Sequence, residues 1–247
     1  MSKYFEFDYS GGAFALFGPA HLWTVVAMVL FSVVFLRTGR STTQESRVNM
    51  RKGLVLFLVA LDLGSNVFWA ASGAWSVKWH LPFQMCTATT YVMAYAFLTG
   101  NRRLYPLVYF LGIGGAIQAV ITPDAGVYGF PHLRFFDALL SHGGLVLGGF
   151  WVVLVEGVRP KLRDLIRIMV GLNVYALLMY FLNLALGSNY LYVNGKAEVD
   201  SAMNFMPEWP YYILVLEALV IIVFGLMYLP FRRYETGRLA GSGDVSA

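Results

Sequence analysis

"GLVLFLVALDLGSNVFWAAS", Gly53–Ser72, is the stretch that decides the fold. A helix of about 20 mostly apolar residues, rising 1.5 Å per residue, crosses the roughly 30 Å hydrocarbon layer of a bilayer. This run has that length, carries one acid, Asp62, and follows the basic pair Arg51–Lys52. Runs of the same kind recur at Leu22–Leu36, Leu81–Leu98, Leu104–Ile121, Phe135–Val155, Leu165–Leu186 and Tyr211–Leu229. The expected architecture is therefore an all-α membrane protein, a seven-transmembrane-helix bundle. Short connections make it one domain over residues 1–232, followed by a small, polar tail over 233–247 expected to be disordered.

Composition agrees. The chain is 58% hydrophobic and only 13% charged, which excludes an ordinary soluble domain. One cysteine makes no internal disulfide. The opening "MSKYFEFDYSGG" has Lys3 followed by Glu6 and Asp8, the wrong charge order for a cleaved signal peptide, so the first apolar run is expected to be retained. The basic residues lie scattered between apolar runs, with no nucleic-acid signature.

They report topology instead. Arg37, Arg40, Arg47, Arg51, Lys52, Arg102, Arg103, Arg159, Lys161, Arg163, Arg167, Arg232, Arg233 and Arg238 fall on one side, against Lys3, Lys78, Arg134 and Lys196 on the other. The positive-inside rule places the N-terminus outside and the C-terminus in the cytoplasm of a cell-membrane protein. Trp23, Trp69, Trp75, Trp79, Trp209, Tyr211 and Tyr212 gather at the outer ends as an interfacial belt.

Polar side chains within the spans require partners, water or a function, because hydrocarbon offers them none. They are Asp62, Asn66, Gln84, Cys86, Gln118, His142, Asn173, Asn183 and Glu217. Counting 1.5 Å per residue from the outer ends puts Cys86 roughly 9 Å deep and His142 roughly 12 Å deep, at similar levels. Asn66, Gln118, Asn183 and Glu217 fall in the same outer half, which predicts a polar chamber open toward the outer leaflet. A thiol beside a histidine can become a thiolate nucleophile, and the histidine in turn needs an orienting group such as Gln118, Asn66 or Glu217.

Each of these residues also has a plain reading. Cys86 fits a small buried hydrophobe, His142 and the amides fit interhelical hydrogen bonding, and the glycines of spans four and five fit close helix packing rather than a lipid groove. No histidines are spaced one turn apart as ligands, so neither metal nor cofactor is expected.

The segments "LPFQMCTAT", "RLYPLVYFLGIGGAIQAVITPD", "GFPHLRFFDALLSHGGLV", "NVYALLMYFLNLALGSNYLY" and "PEWPYYILVLEAL" follow one another as in the bacterial YwaF-like integral membrane proteins. The chain resembles that family from His21 to Phe231. The family is in turn similar to the eukaryotic seven-span ether-phospholipid acyltransferases of the transmembrane protein 164 type and, more distantly, to membrane hydrolases of fatty-acid esters of hydroxy fatty acids. The resemblance implies a cysteine acyl intermediate, with the nucleophile on Cys86 through the Leu-Pro-x-x-x-Cys pattern and the histidine on His142 through Ser-His-Gly. Gln84 stands where many relatives carry histidine.

Two functions follow as expectations. One is a transacylase or acyltransferase acting on membrane phospholipids by a Cys86–His142 mechanism, with Gln118, Asn66, Gln84, Asn183 and Glu217 in support. The other is a non-enzymatic lipid or small-solute binding or transport protein using the same chamber, in which Asp62, Asn66 and Glu217 matter and Cys86 does not. Phospholipids are the expected partners, and assembly into a homo-oligomer is allowed.

Overall fold

The computed structural model describes residues 4–123, 125–197 and 202–241. Lys3 and the last residues of the expected tail, 242–247, lie outside them. All regular structure among the described residues is helical. The main helices are α1 (Pro19–Ser41), α2 (Gln44–Ala71), α3 (Met85–Thr99), α4 (Tyr105–Tyr109), α5 (Ile117–Ile121), α6 (Leu133–Leu154), α7 (Leu162–Leu186) and α8 (Tyr211–Gly241). α8 thus continues as helix across the start of the stretch 233–247.

Among the described residues, six segments are long and apolar enough to cross a membrane: Pro19–Ser41, Gln44–Ala71, Arg102–Ile121, Leu133–Leu154, Leu162–Leu186 and Tyr211–Tyr234. Large apolar side chains on α1 such as Val29, Leu30, Phe31 and Val34 are exposed, as lipid-facing residues are. The expected third span is the exception. α3 has only 15 residues and is about 22 Å long, short of the hydrocarbon thickness.

The cause lies in residues 77–84. Pro82 disfavours helix at Leu81 and has no N–H of its own. The backbone there finds other partners: the Leu81 N–H donates to the Tyr190 hydroxyl at 3.0 Å, and the Tyr175 hydroxyl donates to the Phe83 carbonyl at 2.8 Å. At its other end α3 stops at Gly100, whose φ of +71° is the left-handed conformation that closes helices.

The chain divides into two compact units, the first comprising residues 1–76 and 85–158, the second 77–84 and 159–247. The first is built around α6, which packs against α1, α2, α3 and the α4–α5 rod. Its glycines make this possible. A Cβ at Gly143 would lie 2.1 Å from the Met28 methyl, at Gly144 2.4 Å from Leu58, at Gly148 2.1 Å from the Met93 sulfur and at Gly149 2.6 Å from Ile113. In a membrane, where helices gain no hydrophobic drive from one another, such close packing is the main cohesive force. The glycines are packing residues here.

Between α4 and α5 the rod is π-helical over Phe110–Gly115. There Gly112 passes the Leu145 carbonyl so closely that a Cβ would meet its oxygen at 2.7 Å. At one end of this unit Glu156, with its side chain only 4% exposed, takes Arg51 at 2.9 Å and Arg102 at 2.7 Å. Arg51 also donates to the Phe97 carbonyl at 3.1 Å, tying α2 to α3.

In the second unit, the α7 backbone ends at Gly187, φ +61°. Asn183 then organises the following loop. It donates to the Tyr190 carbonyl at 2.9 Å and Asn194 Oδ1 at 2.7 Å, and accepts from Ser188 Oγ and the Tyr190 N–H, both at 2.8 Å.

Candidate functional site

Cys86 lies in the first turn of α3 and His142 in the third turn of α6, both within the first unit and both partly buried. Their side chains lie within electrostatic interaction range of each other.

The rest of the imidazole is fixed by the helix that carries it. His142 Nδ1 lies 2.7 Å from the Ala138 carbonyl oxygen, one turn earlier. A carbonyl can only accept, so Nδ1 holds the proton, and in the neutral ring Nε2 holds the lone pair. Nε2 is therefore the nitrogen able to take a proton from a thiol. The orienting group is backbone, where the sequence suggested an amide or carboxylate.

Asp137, on α6, lies within Coulombic range of His142 and of Asp62. It is ion-paired with Arg134, and Ser65 of α2 lies close by. Arg134 Nη1 also donates to Ser65 Oγ at 2.7 Å, and its guanidinium stands 5.3 Å over the Trp69 ring. Asp62, one turn along α2 from Ser65, accepts from the Tyr91 hydroxyl of α3 at 2.6 Å. α2, α3 and α6 thus bring polar side chains together: Asp62 and Ser65, Cys86 and Tyr91, Arg134, Asp137 and His142.

The other expected residues are placed differently. Asn66 donates to the Asp62 carbonyl at 3.0 Å and accepts from Trp75 Nε1 at 2.8 Å. Gln118 is exposed on α5. Gln84 accepts from the Leu191 N–H at 3.2 Å, Asn183 holds its loop, and Glu217 accepts from Asn173 at 2.9 Å, joining α8 to α7; all of these bonds are internal to the second unit. His21 is buried, with Nε2 donating to the Val120 carbonyl at 3.0 Å and Nδ1 accepting from the Phe17 N–H at 3.2 Å, a satisfied core histidine. Among the described residues no three His, Cys, Asp or Glu side chains gather as metal ligands.

Asp137, Ser65 and Tyr91 are the members that sequence reasoning missed. Asp137 carried a usable signal, being an acid inside an apolar run five residues before a histidine. Arg134, just beyond that run, reads as a topology marker until its side chain is seen to fold back onto the helix.

An N-terminal strap covers the approach to α6. The Leu133 N–H donates to the Tyr4 carbonyl at 2.9 Å, the Tyr128 hydroxyl to the Phe7 carbonyl at 3.1 Å, and the Gly129 N–H to the Gly12 carbonyl at 3.0 Å. His132 is its keystone. Nδ1 caps α6 by accepting from the Arg134 N–H at 3.1 Å, and Nε2 donates to the Glu6 carbonyl at 3.0 Å. Burial, reinforced by the Arg134 charge and opposed by the bond to Glu6, holds the His132 pKa below its usual value.

The sequence model of the TMEM164 family matches residues 16–228, most of the chain, and the protein belongs to that family. No curated protein and no solved structure matches it.

Proposed function

We propose that this multi-pass membrane protein of the TMEM164 family is a lipid acyl-chain enzyme of the cell membrane, a transacylase or acyltransferase on phospholipids. In this reading α3 completes a seven-span bundle with the N-terminus outside and the C-terminus in the cytoplasm, and the chain is of the YwaF-like type. The observation that carries the reading is the proximity of Cys86 to His142, whose ring tautomer is set by the Ala138 carbonyl.

The chemistry balances on these two side chains. His142 Nε2 takes the Cys86 proton, and the thiolate attacks an ester carbonyl of the donor lipid. The tetrahedral intermediate collapses as the carbon–oxygen bond breaks. The imidazolium returns its proton to the leaving alkoxide, which departs as a lysolipid alcohol and leaves a thioester on Cys86. An acceptor hydroxyl then attacks the thioester while Nε2 takes its proton, and the thiolate leaves and is reprotonated. Water in the acceptor's place gives hydrolysis. A site in the outer half of the membrane, as expected from the positive-inside orientation, would favour a phospholipid donor over cytosolic acyl-CoA.

The test is the intact mass of the purified protein after incubation with mixed phospholipids, with and without hydroxylamine. A hydroxylamine-sensitive acyl adduct present in the wild type and lost in Cys86→Ala and His142→Ala supports the reading. Its absence, with Cys86 inert to alkylating agents, sinks it and favours the second reading, a lipid or solute carrier. That alternative draws on the Asp62–Tyr91 pair, because ionisable groups among membrane helices often mark a translocation route.

A further inference from the structure

Arg134 is bonded on one side of its guanidinium only. Nη1 serves both Asp137 and Ser65, and the Trp69 ring covers the guanidinium. Nε, in contrast, is buried and has no hydrogen-bond partner among the described residues. An unsatisfied buried donor on a charged group costs stability and calls for an explanation, such as a ligand that supplies the missing acceptor.

The chemistry of the unpaired edge defines that ligand. The Nε–Nη2 side of a guanidinium is a planar fork whose geometry matches two oxygens of a phosphate. Asp137 already balances one unit of charge, but a guanidinium can bridge two anions on its two edges. The placement along α6 fits as well. Arg134 and His142 are eight residues apart, a little over two turns, and the bonds to Asp137 and Ser65 draw the guanidinium from the helix start back toward His142. From Asp137 to His142 the rise is about 8 Å. In a glycerophospholipid the phosphorus is only a few bonds from the ester carbonyl, so a lipid whose ester reaches Cys86 carries its phosphate to the level of Arg134.

We infer that Arg134 is the phosphate-recognising residue of this site, gripping the phosphodiester of a phospholipid headgroup through Nε and Nη2 while Asp137 and Ser65 hold Nη1. This deepens the acyl-transfer reading, on which the choice of substrate rests.

The experiment has two arms on the purified full-length protein. In the first, the rate of adduct formation on Cys86 is measured with phosphatidylcholine and with diacylglycerol of the same chains, in wild type and Arg134→Lys. Lysine keeps the charge beside Asp137 and removes the fork. The ratio of the two rates is expected to fall about tenfold or more, the loss of a charged hydrogen-bonded pair. A fraction of misfolded protein lowers both rates and leaves the ratio alone, so an unchanged ratio overturns the inference while the enzyme reading stands. In the second arm, native mass spectrometry compares retained phosphatidylcholine with retained diacylglycerol in wild type, Arg134→Lys and Arg134→Gln. Selective retention that both variants lose supports the headgroup grip even where no adduct forms, which separates it from the fate of the acyl-transfer reading. Retention indifferent to residue 134, or displacement of phosphatidylcholine by equimolar inorganic phosphate, overturns it.

Discussion

Two polar clusters, each lying among apolar helices, show what distinguishes a strut from a site. Around Asn183 every valence is used: both amide hydrogens and both lone pairs of a residue 1% exposed have partners, and the loop behind α7 is pinned as a result. Around His142 valences are left over. Nδ1 is bound to the helix, Nε2 is the basic nitrogen of a ring close to a thiol, and Arg134 Nε has no partner among the described residues. Complete satisfaction makes a cluster rigid and chemically silent, whereas a cluster with spare donors and acceptors can take up a ligand.

Cys86→Ala is expected to abolish acyl-adduct formation completely with little effect on thermal stability; an adduct persisting at another residue would move the chemistry elsewhere. His142→Ala should slow the adduct by about 10²–10⁴-fold, the usual worth of a positioned general base, as read from quenched-flow mass spectra. Asn183→Ala should do the opposite. It strands the Tyr190 N–H and carbonyl and is expected to cost about 1–3 kcal/mol in a detergent unfolding titration, leaving Cys86 reactivity toward iodoacetamide unchanged. Gly148→Ala pushes a methyl into the Met93 sulfur, and an overpacking cost of about 1–3 kcal/mol is expected in the same titration.

The smallest effect concerns pH. The folded His132 pKa lies below the unfolded value of 6.5, so between the two the unfolded chain holds a proton that the folded chain does not. The contribution of His132 is therefore complete above about pH 6.5 and declines as pH falls through that value toward the folded pKa. Hydrogen exchange at the Leu133 and Arg134 amides should accelerate on acidification. His132→Asn, which retains a capping oxygen, should flatten that dependence.

The membrane helices were legible in the sequence because their signal is local: twenty apolar residues in a row need no distant partner to be recognised. α3 escaped that logic. Its first four expected residues are drawn out of the helix by Pro82 and by hydroxyls on Tyr175 and Tyr190, which no local pattern reveals. Counting along the spans put Cys86 and His142 at one level, and the two side chains lie within interaction range. Helix rotation was not legible, so the Ala138 carbonyl as the orienting group and the inward fold of Arg134 appear only in three dimensions. Gln118 and Asn66 shared the depth of His142, yet one is exposed and the other is engaged with Asp62 and Trp75. The π-helical turn at Phe110–Gly115, within which Gly112 passes close to α6, was equally hidden.

Residues 77–84 also set a clock for the ribosome. Their backbone partners, Tyr175 and Tyr190, lie 92 and 109 positions further along the chain. At roughly 5–20 residues synthesised per second, the peptide groups around Pro82 wait on the order of 5–20 s before those hydroxyls exist. During that interval this stretch is held by water or by the insertion machinery, and the second unit closes only when α7 and its following loop have been made.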